Sequence, residues 1–125
     1  MRKSLTPVGE TEMEVLNHVW DLGEASVNDV LDRILKDREV AYTTIMTVMK
    51  NLTDKNYLKY KKNGNKYIYS AAVNPDDVRF NLVDGIVEKV FRGSPKELMM
   101  ALSDHEKLSD KEREELRSMI DKMDN

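Results

Sequence analysis

The segment from Thr43 to Ser70 restricts the fold of this sequence more than any other stretch does. Its first half has apolar residues at helical spacing, and Asn56 then stands where a helix end needs a left-handed residue. Its second half alternates as two strands around Asn63-Gly64, a pair that is typical of hairpin turns. From Lys55 to Pro75 the chain holds five lysines and no Asp or Glu. A helix that leads directly into a basic hairpin is the pattern of a winged helix-turn-helix.

Two further helices are predicted before this segment. The pair Thr6-Pro7 is typical of a helix start, and this first helix is expected to run to about Leu22. Ser26 and Asp29 have the spacing of a capping box, which predicts a second helix over 27–36. The apolar stripes of the three helices are expected to share one core. Its predicted members are Val15, Leu16, Val19 and Trp20, then Val27, Val30, Leu31, Ile34 and Leu35, then Ile45, Val48, Met49 and Leu52.

The exposed side of the third helix, which Thr43 or Thr44 is expected to cap, carries hydroxyls, an amide and a lysine. Side chains of these types can hydrogen-bond base edges and phosphates from the major groove. A merely solvated helix face is the alternative interpretation, and the basic hairpin that follows favours DNA reading. The residues predicted to read DNA are Thr43, Thr44, Thr47, Lys50 and Asn51.

The hairpin forms the predicted wing. In its second strand Tyr67 and Tyr69 share one face, so that one face packs and the other stays wet. Lysines on an exposed edge strand can also serve to prevent pairing between molecules, but that use does not explain why acidic residues are absent. We therefore predict that the wing contacts the DNA backbone through Lys61, Lys62, Asn63, Asn65 and Lys66. Arg2 and Lys3 are predicted to add phosphate contacts before the first helix.

The pattern changes to helices alone after Asn74-Pro75. Three helices are predicted here, and about 50 residues are too few to enclose a core alone. Pairing with a second copy would bury their apolar stripes and would also supply two half-sites for palindromic DNA. The residues predicted to form this dimer contact are Leu82, Ile86, Val90, Leu116, Met119 and Ile120.

The predicted fold class is therefore mainly α with a small β-hairpin wing. A winged helix-turn-helix DNA-binding domain is expected over 1–73, followed by a C-terminal three-helix dimerisation region over 74–125. The 125 residues carry a net charge of -3, which taken alone argues against a nucleic-acid partner. The charge is unevenly placed, because residues 1–75 hold 11 basic and 10 acidic side chains whereas residues 76–125 hold 9 and 13. A near-neutral module with one basic edge thus precedes an acidic tail.

Several classes of function are excluded by what the sequence lacks. It has no cysteine and only two distant histidines, so neither a metal site nor another cofactor is expected. It has no glycine-rich phosphate loop, nucleophile elbow or acid–base constellation, so we do not expect an enzyme. It has neither a membrane-spanning run nor the apolar region of a signal peptide, which predicts a cytoplasmic protein without membrane insertion.

Four stretches of the sequence resemble the penicillinase-repressor family of bacterial regulators, of the BlaI/MecI/CopY type. They are LTPVGETEMEVLNHVW (Leu5 to Trp20), AYTTIMTVMKNLTDKNYL (Ala41 to Leu58), GNKYIYS (Gly64 to Ser70) and EKLSDKEREELRSMI (Glu106 to Ile120). The resemblance covers almost the whole chain. It implies a homodimeric winged-helix repressor that binds palindromic operators in double-stranded DNA and dimerises through its C-terminal helices.

The resemblance also implies a mode of regulation. In family members of the penicillinase type, a membrane sensor protease leads to cleavage within the dimerisation region, which releases the DNA. The corresponding bond here is Ala101-Leu102, where the best-known members carry Asn-Phe. Copper sensing through the cysteine cluster of another branch is excluded, because cysteine is absent. Two alternatives remain open: a winged-helix dimer regulated by a small ligand between its domains, and a winged helix used only for protein contacts.

Overall fold

A computed structural model of the chain describes residues 8–123. These residues divide into two compact units between Arg79 and Phe80. We call the residues before this division the first unit and those from Phe80 onward the second unit. In chain order the elements are α1 (Glu10–Leu22), β1 (Glu24–Ala25), α2 (Val27–Ile34), α3 (Tyr42–Asp54), β2 (Leu58–Asn63), β3 (Lys66–Ala71), α4 (Pro75–Lys89), α5 (Pro95–Ser103) and α6 (Asp110–Met123).

The first helix begins later than predicted. Its N-cap is Gly9, whose N–H donates a hydrogen bond to Glu12 Oε1 at 2.9 Å, and α1 starts at the next residue. This bond satisfies a backbone donor that the first turn leaves without a partner. The expected start at Thr6-Pro7 is therefore wrong, and that pair lies outside the described residues.

The capping box predicted for the second helix is confirmed. Asp29 N–H donates to Ser26 Oγ at 3.2 Å, and Ser26 N–H donates to Asp29 Oδ2 at 2.9 Å. The helix ends before the predicted residue 36, because the N–H groups of Asp37 and Arg38 both turn back to Ile34 O. As a result Leu35, which was expected in the core, is exposed.

The core of the first unit lies between α1, α2 and α3, as the three apolar stripes predict. Burying a side chain of this size stabilises the fold by about 1.5 to 3 kcal/mol. Trp20, Leu31 and Val48 are only half-buried. The side chains with no exposed surface are Val15, Leu16, Val19, Val30, Ile34, Ile45, Met49 and Leu52.

The hairpin after α3 joins β1, which lies between α1 and α2, in a three-stranded antiparallel sheet of order β1-β3-β2. Asn56 has a φ of 68°, which confirms it as the left-handed residue between helix and hairpin. Asn63 pairs with Lys66, so the central turn residues are Gly64 and Asn65 rather than Asn63-Gly64. The third strand, β1, was not predicted, and its Glu24 pairs with Ser70.

The second unit contains the end of α4 together with α5 and α6. Ser94 Oγ accepts from Glu97 N–H at 3.2 Å at the start of α5. At the start of α6, Ser109 and Glu112 exchange two hydrogen bonds and form a second capping box, whose spacing is also present in the sequence. The mainly helical fold with a small wing is as predicted, whereas the domain boundary after residue 73 and the dimerisation role stay predictions.

Candidate nucleic-acid interface

The predicted reading residues lie on the exposed side of α3. The helix begins one residue before the threonines, because Ala41 is its N-cap and the carbonyl of Ala41 accepts from Thr44 and Ile45 N–H. The expectation that Thr43 or Thr44 caps the helix is therefore wrong. Both lie in the first turn, where their hydroxyls make no capping bond. All five predicted residues, Thr43, Thr44, Thr47, Lys50 and Asn51, are exposed.

The wing holds the predicted backbone-contacting residues in β2, the turn and β3. Lys61, Lys62, Asn63, Asn65 and Lys66 are all exposed. Lys61 differs from the others because its Nζ lies 2.9 Å from Glu24 Oε2 on the unpredicted strand β1. The strand register explains this contact. Glu24 on β1 and Lys59 on β2 both pair with Ser70 of β3, and Lys61 lies two residues beyond Lys59 on the same strand. Lys62 and Lys66 form no ion pair with another described residue.

At the C-terminal end of α3, one further lysine of the basic cluster is paired with an acidic residue. Lys55 Nζ lies 2.8 Å from Glu12 Oε1 on α1, and both side chains are mostly buried. Burial raises the pKa of the Glu12 carboxyl, but hydrogen bonds from Lys55 and from Gly9 N–H outweigh it, so that the pKa lies below its ordinary value. Lys55 thus ties α3 to α1. The lysines left for a partner in this region are Lys50, Lys59, Lys62 and Lys66.

Tyrosines line the space between α3 and the hairpin. The rings of Tyr60 and Tyr67 meet edge to face with centroids 4.9 Å apart, and Tyr69 lies 5.8 Å from Tyr60. Burial raises the pKa of the Tyr69 hydroxyl, and the neighbouring Tyr60, Tyr67 and Tyr42 hydroxyls raise it further. The alternation of the second strand predicted that Tyr67 and Tyr69 share a face, but not that Tyr60 lies opposite Tyr69 or that this face turns toward α3.

A cavity of about 510 Å³ lies beside these rings, within the first unit. Sequence reasoning missed it, since its walls come from three separate elements. They are the start of α2, the exposed side of α3 and the hairpin. The lining residues are Ser26, Val27, Asn28, Tyr42, Met46, Lys50, Thr53, Asp54, Tyr60, Asn65, Lys66, Tyr67 and Tyr69.

The residues predicted for dimerisation lie in the second unit, on α4, at Val90 directly after the end of α4, and on α6. Ile86, Val90 and Met119 are exposed, Leu82 and Leu116 are half-buried, and Ile120 is 8% exposed. Ile120 is thus already covered within a single chain. The Ala101-Leu102 bond lies inside α5, and both residues are exposed.

Three further expectations concern the N-terminal basic residues, metal binding and membrane insertion. Arg2 and Lys3, the predicted phosphate contacts, lie outside the described residues. Within residues 8–123 no group of three or more His, Cys, Asp or Glu side chains is placed to hold a metal ion. No helix in the same range has the length and apolar character needed to cross a membrane.

Comparison with known proteins gives matches along nearly the whole sequence. A family model described as penicillinase repressor matches residues 8–122. The penicillinase repressor of Staphylococcus aureus is 30% identical over 120 residues, which cover 96% of this chain and 95% of that protein. The methicillin resistance regulatory protein MecI of Mammaliicoccus sciuri is 29% identical over 115 residues, covering 92% and 94% of the two chains.

Two solved structures share the fold of the first unit. The solution structure of the DNA-binding domain of the repressor BlaI superposes with a TM-score of 0.53 at 24% identity, covering 61% of this chain and 93% of that one. The monomeric form of Bacillus licheniformis BlaI, in complex with the blaP half-operator, gives a TM-score of 0.52 at 24% identity with the same coverage. These likenesses establish the winged-helix fold.

Proposed function

Since this chain belongs to the penicillinase repressor family, we propose that it is a DNA-binding transcriptional repressor that binds a palindromic operator as a homodimer. One observation supports this most directly: the polar, exposed side of α3 stands beside a wing whose Lys62 and Lys66 have no acidic partner among the described residues. Helix α3 would enter the major groove, and the wing would hold the adjacent phosphates.

The charge distribution of the first unit supports the same assignment. Lys55 and Lys61 are neutralised by Glu12 and Glu24, while the cations at the outer surface are left for an external anion. A basic edge on an acidic protein concentrates attraction at one place, so a duplex would approach in one orientation. A winged helix used only for protein contacts would not need unpaired lysines both on α3 and on the wing beside it.

The proposed relief of repression is proteolysis of the Ala101-Leu102 bond. Cleavage there would separate α4 from α6, which carry the two halves of the proposed dimer surface. The bond lies within a helix, so a protease would need the last turn of α5 to unwind first. Arg113 stabilises that turn, because its guanidinium donates to Ser103 O at 2.7 Å and to His105 O at 3.1 Å.

The salt dependence of DNA binding tests the function. Duplexes selected by the protein from a random pool would be titrated by fluorescence anisotropy between about 50 and 200 mM salt. The Lys62→Ala and Lys66→Ala variants should each flatten the slope of log K against log salt by about one unit. Lys107→Ala, which removes an exposed lysine of the second unit, is the control and should leave the slope unchanged.

The results separate the proposed function from its rivals. DNA binding without a change of slope in either wing variant would contradict the wing assignment. A complete lack of salt-dependent binding would leave the winged helix as a protein-contact module. Mass spectrometry of the chain from induced cells would show a fragment beginning at Leu102 if proteolysis relieves repression. An intact chain released from its operator would instead point to a small ligand.

A further inference from the structure

The cavity between α2, α3 and the hairpin has the size and wall chemistry of a small-molecule site. Its volume of about 510 Å³ lies within the range of about 300 to 1,000 Å³ that such sites occupy. Among the described residues of the first unit six large apolar side chains are exposed, and four of them line this one cavity: Tyr42, Met46, Tyr60 and Tyr67. Exposed apolar surface gathered in a concave place indicates a ligand rather than incidental exposure.

The walls are suited to a flat aromatic ring. Four of the five tyrosines of the chain, Tyr42, Tyr60, Tyr67 and Tyr69, line the cavity. Tyr60 contacts both Tyr67 and Tyr69, with centroids 4.9 and 5.8 Å away, so the rings form a continuous aromatic wall. Aromatic rings attract one another through offset or edge-to-face contacts, which a planar ligand can join.

The charges of the lining favour an anion. Lys50 and Lys66 both line the cavity, and neither forms an ion pair with another described residue. Asp54 is the acidic residue of the lining, so the cations outnumber it. Val27 and Asn28 also line the cavity at the start of α2, where the Ser26–Asp29 capping box already occupies the helix N-terminus. A cationic ligand would face two like charges and a single carboxylate, that of Asp54.

We propose that this cavity binds a small planar aromatic anion, of the class of the aromatic carboxylates. Its ring would lie against the tyrosine wall and its carboxylate would contact Lys50 and Lys66. These two lysines are also proposed to contact DNA, so the bound anion would compete with the duplex. Anion binding stands on the cavity alone, whereas the competition rests on the proposed function.

Tyrosine NMR on the full-length protein tests the site without any DNA. With tyrosine labelled at its Cε carbons, five ring signals are expected, and 2-naphthoate is the probe. Signals of the four lining tyrosines should shift with a common dissociation constant below about 1 mM. Tyr57 is buried and is not part of the lining, so its signal is an internal reference. Shifts absent at millimolar probe would overturn the proposal.

Variants and matched probes test the role of charge. Lys66→Gln should raise the dissociation constant about tenfold, because it removes a charge-assisted contact. Lys59→Gln is the matched control, since this exposed hairpin lysine does not line the cavity. Asp54→Asn should tighten binding. Equal binding of uncharged 2-naphthalenemethanol, or tighter binding of 2-naphthylmethylamine, would overturn the assignment to an anion.

Competition is tested with the selected duplex. At ten times its dissociation constant, 2-naphthoate should weaken DNA binding about tenfold, and Lys66→Gln should reduce this effect. Probe binding that leaves duplex affinity unchanged would overturn the competition. If the protein binds no duplex while the four tyrosine signals still shift, the repressor function fails and the anion site stands.

Discussion

In the first unit eight apolar side chains from three helices have no exposed surface, whereas among the described residues of the second unit only Val87 and Ile120 are buried apolar side chains. Eight large apolar side chains of the second unit remain exposed. The first unit therefore encloses a core that a single chain can stabilise. The second presents apolar faces that need a partner, which supports the proposed homodimer.

The difference shows most clearly along α4. From Phe80 onward the helix places Phe80, Val83 and Ile86 on one face, Val90 follows one residue after the helix end, and all four are exposed. By contrast Val78, in the part of α4 that belongs to the first unit, is 1% exposed. The same helix thus contributes a buried side chain to the first unit before Phe80, and presents exposed apolar side chains from Phe80 onward.

Truncation of one apolar side chain in each unit should separate the units most strongly. Leu52→Ala leaves a cavity in the first unit and should lower the free energy of unfolding by about 3 kcal/mol. Val90→Ala, at a side chain that is 65% exposed, should change it by less than about 0.5 kcal/mol. Urea unfolding followed through Trp20, the single tryptophan, reports the first unit. Equal losses in the two variants would contradict the contrast.

A charge on the exposed stripe should break the proposed dimer. Ile86→Asp should raise the monomer–dimer dissociation constant about 30-fold, corresponding to about 2 kcal/mol for a residue at the centre of an interface. Met46→Asp is the matched control, because Met46 and Ile86 are 43% and 45% exposed in different units. Sedimentation velocity of both variants decides the matter. Dissociation by the control alone would place the interface in the first unit.

Discrimination between base pairs should depend on side chains of the first unit alone. Lys50→Met keeps the length of the side chain but removes its charge, and should reduce discrimination between duplexes by about 1.5 kcal/mol if Lys50 contacts a base. Ile86→Asp should weaken binding to every palindrome without changing the preferred bases. Affinities for duplexes with single base-pair changes measure this. A uniform loss in Lys50→Met would make Lys50 a backbone contact instead.

The smallest expected effect concerns acid stability of the first unit. The pKa of Glu12 is lowered in the folded protein, so its pairing stabilises the fold above the unfolded pKa of about 4.3. That contribution disappears as pH falls through the lower, folded pKa. Glu12→Gln should therefore flatten the loss of stability on acidification, by at most about 1 kcal/mol. Glu115→Gln, at an exposed position of α6, should follow the parent protein in the same urea titrations.

Much of the fold could be predicted because its signals are local. The capping boxes at Ser26 and Ser109 each lie within four consecutive residues, and the apolar stripes repeat within single helices. The errors also have local causes. Leu35 continued the stripe of α2, but the turn back to Ile34 O ended the helix first. Ala41 is the N-cap of α3 but makes no side-chain hydrogen bond there, so its residue type gave no indication that the helix begins after it.

The candidate site was less predictable because its contacts join distant parts of the chain. Lys55 and Lys61 counted toward the basic cluster until Glu12 and Glu24 were found beside them. Strand β1 has two residues, too few for a periodic pattern. The tyrosine wall depends on the packing of the hairpin toward α3. Polar residues of α3 and the wing were nevertheless found together, because these two elements are neighbours in sequence.

The pairing of β1 with β3 also affects the order in which the first unit folds. The hairpin can close early, since its two strands are joined by a two-residue turn. Its attachment through Glu24 and Ser70 joins residues far apart in the chain and must await closure of a long loop. The amides that pair β1 with β3 should therefore gain protection from hydrogen exchange later than those of the hairpin, so that the wing closes on itself before it is anchored to the helices.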